Sequence, residues 1–316
     1  MKHLLVASLA ALILMCACSQ KKSGDNTLAD VADSTAVAAL AIEHFDFVDS
    51  SQYANVIIEI ELPKAENDAA AIMRSYLLDL VGERLSYVTS YESERSYPLY
   101  SGKSNDDRER LEYYFKETML LMDTSSAKDV NERIRYIEED STLSAVNKAL
   151  AKEYIPRWGY EYKLVKVADT LAYAVFLSQD YIYMGGAHGG VSGDGFITFD
   201  KHNGHAISQF VDTTRVADMQ PLLVEGLKKY YADADQPKMS THELFERLQL
   251  PFDGPKNRIP LPVGLPCPTS EGLSFTYGQY EIASYADGMP SFVIPYEKIK
   301  PFLTEEAAQL LQPYLK

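Results

Sequence analysis

The chain opens with a segment that takes two of its three cysteines out of play, and this decides how the rest must be stabilised. Lys2 and His3 precede an unbroken apolar run from Leu4 to Met15. The run ends in Met15-Cys16-Ala17-Cys18 and turns polar at once with Ser19-Gln20-Lys21-Lys22. A basic start followed by about 7–15 apolar residues is the pattern of an export signal, too short to span a bilayer as a mature helix. Ala17, small and directly before Cys18, supplies the spacing a lipoprotein signal peptidase needs, whereas Met15 before Cys16 does not. Residues 1–17 are therefore expected to be removed and Cys18 lipidated. Cys267 is then left alone, so no intrachain disulfide can form even in an oxidising compartment. The fold must be held by its core. Several acyl chains would tether that body durably in the cell envelope, at the outer membrane or a periplasmic face.

Composition makes such a core attainable. An apolar fraction of 46% and 22 tyrosines belong to a globular protein, and 316 residues suffice for one large domain or two small ones. The formal charge is −15, and loss of Lys2 with the leader makes it −16. A surface of that sign repels phosphate, which argues against nucleic acid, and attracts basic partners.

Residues 18–42, small and polar, read as a flexible linker. Folding is expected from near His44. Ile58, Ile60 and Leu62 alternate with Glu59 and Glu61, which predicts a half-buried strand ended by Pro63. Helical spacing follows at Ile72, Met73, Tyr76, Leu77, Leu80 and Val81, and again at Leu111, Tyr114, Phe115, Met119 and Met122. The second stripe reads as core, not as a cofactor site. A third helix is expected within 141–154, closed by Pro156. Tyr160–Val167 and Leu171–Leu177 read as a hairpin. Gly195–Asp200 and Ala206–Val211 read as another, joined by a type I′ turn at Asn203-Gly204. Helices are expected from Pro221 to Tyr231, after the capping box Ser240-Thr241-His242-Glu243, and over 297–303 and 305–315. Strands are expected at 273–277, 280–284 and 291–295. The fold class is α+β: an antiparallel sheet with helices packed on it, helix-rich in the first half and strand-rich in the second.

Tyr183-Met184-Gly185-Gly186-Ala187-His188-Gly189, then Thr198-Phe199-Asp200 and Gly204, form a series that continues with Gly272-Leu273-Ser274-Phe275, Tyr280-Glu281-Ile282-Ala283, Gly288 and Ile294-Pro295-Tyr296. Over roughly residues 180–303 this series resembles the domain of unknown function 3298 family. Residues 44–180 resemble, more distantly, the companion domain that precedes it in RsiV- and PdaC-like extracellular proteins. The resemblance implies two domains, 43–180 and 181–316, after the signal peptide 1–17 and the linker 18–42. It also implies a binding role, with lysozyme-like basic protein or cell-wall glycan as the partner. The chain shows neither the attached deacetylase nor the anti-sigma arrangement of some members, so only binding is carried over.

Among candidate residues, the glycine run 185–190 is foremost. Gly185, Gly186, His188 and Gly189 could cradle a ligand against exposed amides, or they could simply form a tight strand connection. No P-loop lysine or GxGxxG accompanies them, and nothing calls for a cofactor. His202 and His205, on either side of a two-residue turn, would lie about 4.5–5.5 Å apart and could share a metal if a third ligand came from elsewhere. Gly190-Val191-Ser192-Gly193-Asp194 lacks the second glycine of a nucleophile elbow, and Glu246 stands where a zincin needs histidine. Asp194, Asp200 and His188 remain as an acid–base group for the alternative reading, a glycan-directed hydrolase or metalloenzyme. Tyr277, Tyr280, Tyr285, Phe292 and Trp158 are candidate aromatic anchors or core, and Cys267 reads as structural or incidental.

Overall fold

Val56, Ile58 and Ile60 are buried while Ile57, Glu59 and Glu61 between them are not, and this alternation organises the first half. The computed structural model describes residues 39–315 apart from 90–93, 103–105, 187–188, 233–238 and 251–257. Strand β1 (Ile42–Ser50) pairs antiparallel with β2 (Ala54–Pro63). Helix α1 (Asp68–Leu85) follows, its Asn67 side chain accepting the Ala70 amide at 2.9 Å. Short strands β3 (Tyr87–Thr89) and β4 (Glu94–Ser96) lead to α2 (Asp107–Glu139), which is about 50 Å long at 1.5 Å per residue. Helix α3 (Ala145–Glu153) turns the chain back into β5 (Trp158–Asp169), β6 (Tyr173–Tyr183) and β7 (Gly190–Asp200). The sheet order is β1-β2-β5-β6-β7, with β2 and β5 parallel and every other pair antiparallel. A parallel pair needs a long crossover, and the helical stretch between β2 and β5 supplies it.

One face of this sheet carries Phe45, Ile58, Tyr162, Phe176 and Phe199 against Met73, Leu77, Leu111 and Tyr114 of α1 and α2. Toward β1 the opposite face is polar: Lys163 reaches Glu59 at 3.7 Å and His44 reaches Glu61 at 3.2 Å. Toward β6 it is covered. Tyr173 and Val175 point there into a second core built by α4 (Val216–Tyr231) and α5 (Thr241–Arg247). A three-stranded sheet completes that core, β10-β9-β8, from β8 (Cys267–Pro268), β9 (Gly272–Thr276) and β10 (Ser291–Pro295), with α6 (Tyr296–Ile299) and α7 (Glu305–Leu310). Residues 173–176 are therefore buried on both faces. The boundary expected at 180/181 falls inside β6, and the described residues lie in one compact unit.

The architecture is α+β as expected, and several elements differ in detail. Folding starts before residue 43, since the Leu40 amide already donates to Asp169 Oδ2 at 2.8 Å. In α1 the inward stripe is Ala70, Met73, Leu77 and Val81, while Ile72 and Tyr76 are exposed. The turn at Asn203-Gly204 is not type I′: Gly204 has φ +78°, but among the described residues Tyr280 is the non-glycine with positive φ. Asp200 pairs instead with His205 across a four-residue loop, its amide donating to the His205 carbonyl at 3.0 Å. Two contacts impose this. Lys201 is drawn into the interior, and a Cβ at Gly204 would stand 2.3 Å from the Ala69 carbonyl oxygen. Residues 206–211 form bridges, Phe199 to Ala206 and Val211 to Leu303, not a strand. Pro221 lies inside α4, where Gln220 Nε2 caps the Val216 carbonyl at 3.1 Å and brackets Ile259 with a further pair of bonds. Residues 280–284 are turn, because Glu281 accepts the Gly278 and Val263 amides at 2.6 and 2.7 Å; their apolar pattern reflects burial of Ile282. The capping box at Ser240 is present in full. The closing helices are shorter than expected, each ending in a 3-10 turn.

Candidate functional site at the glycine loop

The loop after β6 is held by its flanks. Gly185 has φ +77°, a conformation that favours glycine, and a Cβ there would press on Pro156 Cγ at 3.0 Å. Arg133 of α2 donates from Nη1 to the Gly185 carbonyl at 3.1 Å and leans toward the Met184 carbonyl at 3.5 Å. Its guanidinium is fixed in turn by Asp129 Oδ2 at 2.9 Å, an oxygen that also accepts the Trp158 indole N–H at 3.2 Å. On the other side Gly189 is buried against Tyr181, whose ring a Cβ would meet at 2.2 Å. Burial, then the nearby Tyr285, push the Tyr181 hydroxyl up. Gly186 is exposed. Ala187 and His188 lie outside the described residues, as do Cys18 and the Asp194 side chain. The described part of the run is thus a docked connection, with one glycine presented to solvent.

Position gives this loop its interest. β6 runs about 33 Å from Tyr173 to Tyr183 at roughly 3.3 Å per residue, and the loop caps its far end. The chain joins the body at the near end. There Lys201, with 1% of its side chain exposed, donates from Nζ to Asp169 Oδ1 at 2.7 Å and to the Thr170 carbonyl at 2.7 Å. Lys166 Nζ reaches Asp169 Oδ2 at 2.8 Å and the Leu40 carbonyl at 3.1 Å. Burial pushes the Asp169 carboxyl up, but the hydrogen bonds from Lys166, Lys201 and the Leu40 amide outweigh it and hold it below its usual value. A pocket of about 60 Å³ lies beside this network, lined by Leu40, Asn67, Met73 and Lys201 among others. Ligand pockets span about 300–1,000 Å³.

The remaining candidates are dispersed. His202 Nδ1 sits 3.1 Å from Asp200 Oδ1, which also accepts the His202 amide at 2.8 Å, so Asp200 organises its own loop. With four residues in that loop, His202 and His205 are not cross-strand partners. Among the described residues no three His, Cys, Asp or Glu side chains converge as a metal site. Asp200 closes β7, about 33 Å along that strand from Gly190 at its start. Tyr277 and Phe292 are buried in the second core, as is Cys267. Tyr280 is exposed, and its ring lies tilted at 36° to that of Tyr285 with centroids 5.9 Å apart.

The family model described as "Protein of unknown function (DUF3298)" matches residues 212–297. This chain carries a DUF3298 domain. The match runs from the turn before α4 through α5, β8, β9 and β10 into α6. It stops short of the glycine loop, which the sequence resemblance had included. A member of the DUF3298 family from Bacteroides fragilis NCTC 9343 superposes with a TM-score of 0.60 at 16% identity, covering 89% of this chain and 98% of its own. At that identity the likeness shows the fold alone, and it extends that fold well beyond the DUF3298 stretch. A DUF3298 family protein from Pseudomonas aeruginosa PAO1 gives 0.48 at 14% identity, with 86% and 97% covered. No curated protein matches the chain in sequence. Sequence reading missed the Arg133–Asp129 buttress, although the i,i+4 spacing of those two charges was visible.

Proposed function

We propose that this chain is an envelope lipoprotein, anchored through Cys18, whose α+β body is a non-enzymatic binding module for a basic protein of the lysozyme kind or for cell-wall glycan. The observation that carries this reading is the polarity of the body. The chain joins at the Asp169 end, and the glycine loop lies at the other end of β6, where Tyr285, paired with Tyr280, is near Tyr181. A tether at the first end leaves the second free to meet a partner in the aqueous space. The net charge, −15 for the full chain and −16 once Lys2 is lost with the leader, favours encounter with basic proteins. Two measurements test the proposal. Mass spectrometry of the mature protein is expected to find an acylated amino-terminal Cys18; an unmodified terminus removes the anchor. A fragment of residues 37–316, which includes the Leu40 contacts, is expected to bind lysozyme at low salt and to weaken as salt rises. No association at low salt removes the lysozyme version.

A further inference from the structure

The second core covers only part of the sheet face it packs on. Tyr173 and Val175 of β6 lie in that core, whereas Tyr181 and Tyr183 on the same face of the strand belong to neither core. The register sets Tyr181 opposite Glu161 and Tyr183 opposite Gly159, and the parallel pairing puts Ile57 beside Glu161. All five are half-buried. Tyr285, in the turn after Ile282 of the second core, comes near Tyr181.

Two features of this step have no cause in the fold. Gly159 is paired on both sides, with Asn55 and Tyr183, where glycine weakens a strand. Its φ is not positive, and the irregularity of β5 falls elsewhere, between Lys166 and Ala168. A Cβ at Gly159 would meet Tyr183 Cβ at an ordinary 3.9 Å. A strand glycine without those causes marks a close approach of another group. Glu161 is the second feature. Burial raises its carboxyl above the usual value against the pull of Lys163, and no hydrogen bond or ion pair reaches it from the described residues. Lys163 is turned to Glu59 at 3.7 Å, and Arg157 donates to the Ser51 carbonyl at 2.9 Å. A desolvated carboxylate without a counter-charge is costly.

We propose that the gap over Gly159 is a binding site for a small alkylammonium ion, its charge on Glu161 and its chain against Tyr183 and Ile57. The unpaired carboxylate selects a cation. Tyr181, whose hydroxyl feels the Glu161 charge, adds an aromatic face that attracts the same sign. Ile57 and Tyr183 select a hydrocarbon chain, and among the described residues too few ligands converge for a metal ion. The glycine supplies the room, since any side chain there would occupy the space the chain needs. This site goes beyond the proposed function: it needs neither the lipid anchor nor a protein partner.

The test titrates n-butylammonium chloride into the full-length protein by calorimetry, with 1-butanol as the uncharged ligand of equal length. A Kd of about 1 mM is expected for the ammonium, and no binding of the alcohol below about 50 mM. Glu161→Gln keeps the shape, removes the charge and should weaken binding about tenfold. Gly159→Val fills the gap on an extended backbone and should abolish binding with melting unchanged. Asp46→Asn removes an equal charge from an exposed position of β1 on the same face and should change nothing. Equal binding of the two ligands, or no binding of the ammonium below about 50 mM, overturns the proposal. So does full binding by a folded Gly159→Val protein. An equal loss in Asp46→Asn and Glu161→Gln would show diffuse attraction only, and overturns it as well. If the valine variant does not fold, Glu161→Gln against Asp46→Asn decides.

Discussion

Asp169→Asn is expected to destabilise the protein by about 3–5 kcal/mol, because it leaves the Lys201 ammonium buried without its counter-charge. The reverse change should cost less. In Lys201→Met the carboxylate keeps Lys166 at 2.8 Å and the Leu40 amide at 2.8 Å, and the methionine adjoins Leu40, Ala70 and Met73 in the neighbouring pocket. The asymmetry is the informative part, and urea melts of the two variants at neutral pH measure it. Acid reports on the same group. The folded-state pKa of Asp169 lies below its ordinary value, so its contribution is complete above the usual carboxylate range near pH 4 and is lost as pH falls through the depressed value. Wild type and Asp169→Asn should therefore converge in stability toward strong acid. Equal cost of the two substitutions, or a gap that does not change with pH, would show that the network is not what holds Lys201 inside.

This network also marks where sequence reading stopped. The strands with strict alternation, β2 and the β5–β6 hairpin, were legible because the period of two survives in any half-buried sheet. The capping box at Ser240 was legible because both halves of it are local. The failures are all cases where a distant group overrode a local signal. Asn203-Gly204 carries a hairpin pattern, yet Lys201 reaching for Asp169 and Ala69 pressing on Gly204 impose a longer loop. Residues 280–284 alternate like a strand, yet Glu281 closes a turn by taking two amides, one of them from Val263. The glycine run was found by composition, but its buttress sits on α2, more than fifty residues away in sequence. The third helix was expected within 141–154, and only the fold shows that none of the residues of α3 is buried.

The doubly buried stretch of β6 carries the second large prediction. Phe176 belongs to the core under α1 and α2, and Val175 belongs to the core under α4 and β9, although the two are adjacent in the chain. Phe176→Ala should cost about 3–5 kcal/mol and Val175→Ala about 2 kcal/mol. If the two cores were independent domains, each substitution would lower the melting of one half only. They share β6 and β7, however, and β7 puts Ile197 and Phe199 into the first core while Phe196 packs on the second. Neither core can open without stripping one face of a strand that the other still needs covered, and the exposed apolar surface would couple the losses. Both variants should therefore shift one common transition. Trp158, the single tryptophan, reports the first half by fluorescence, and hydrogen exchange in β9 and β10 reports the second. Coincident midpoints are expected for wild type and for both variants. Separate midpoints, with Val175→Ala moving only the exchange in β9 and β10, would restore a folding boundary near residue 180 and reduce β6 to a linker between two domains.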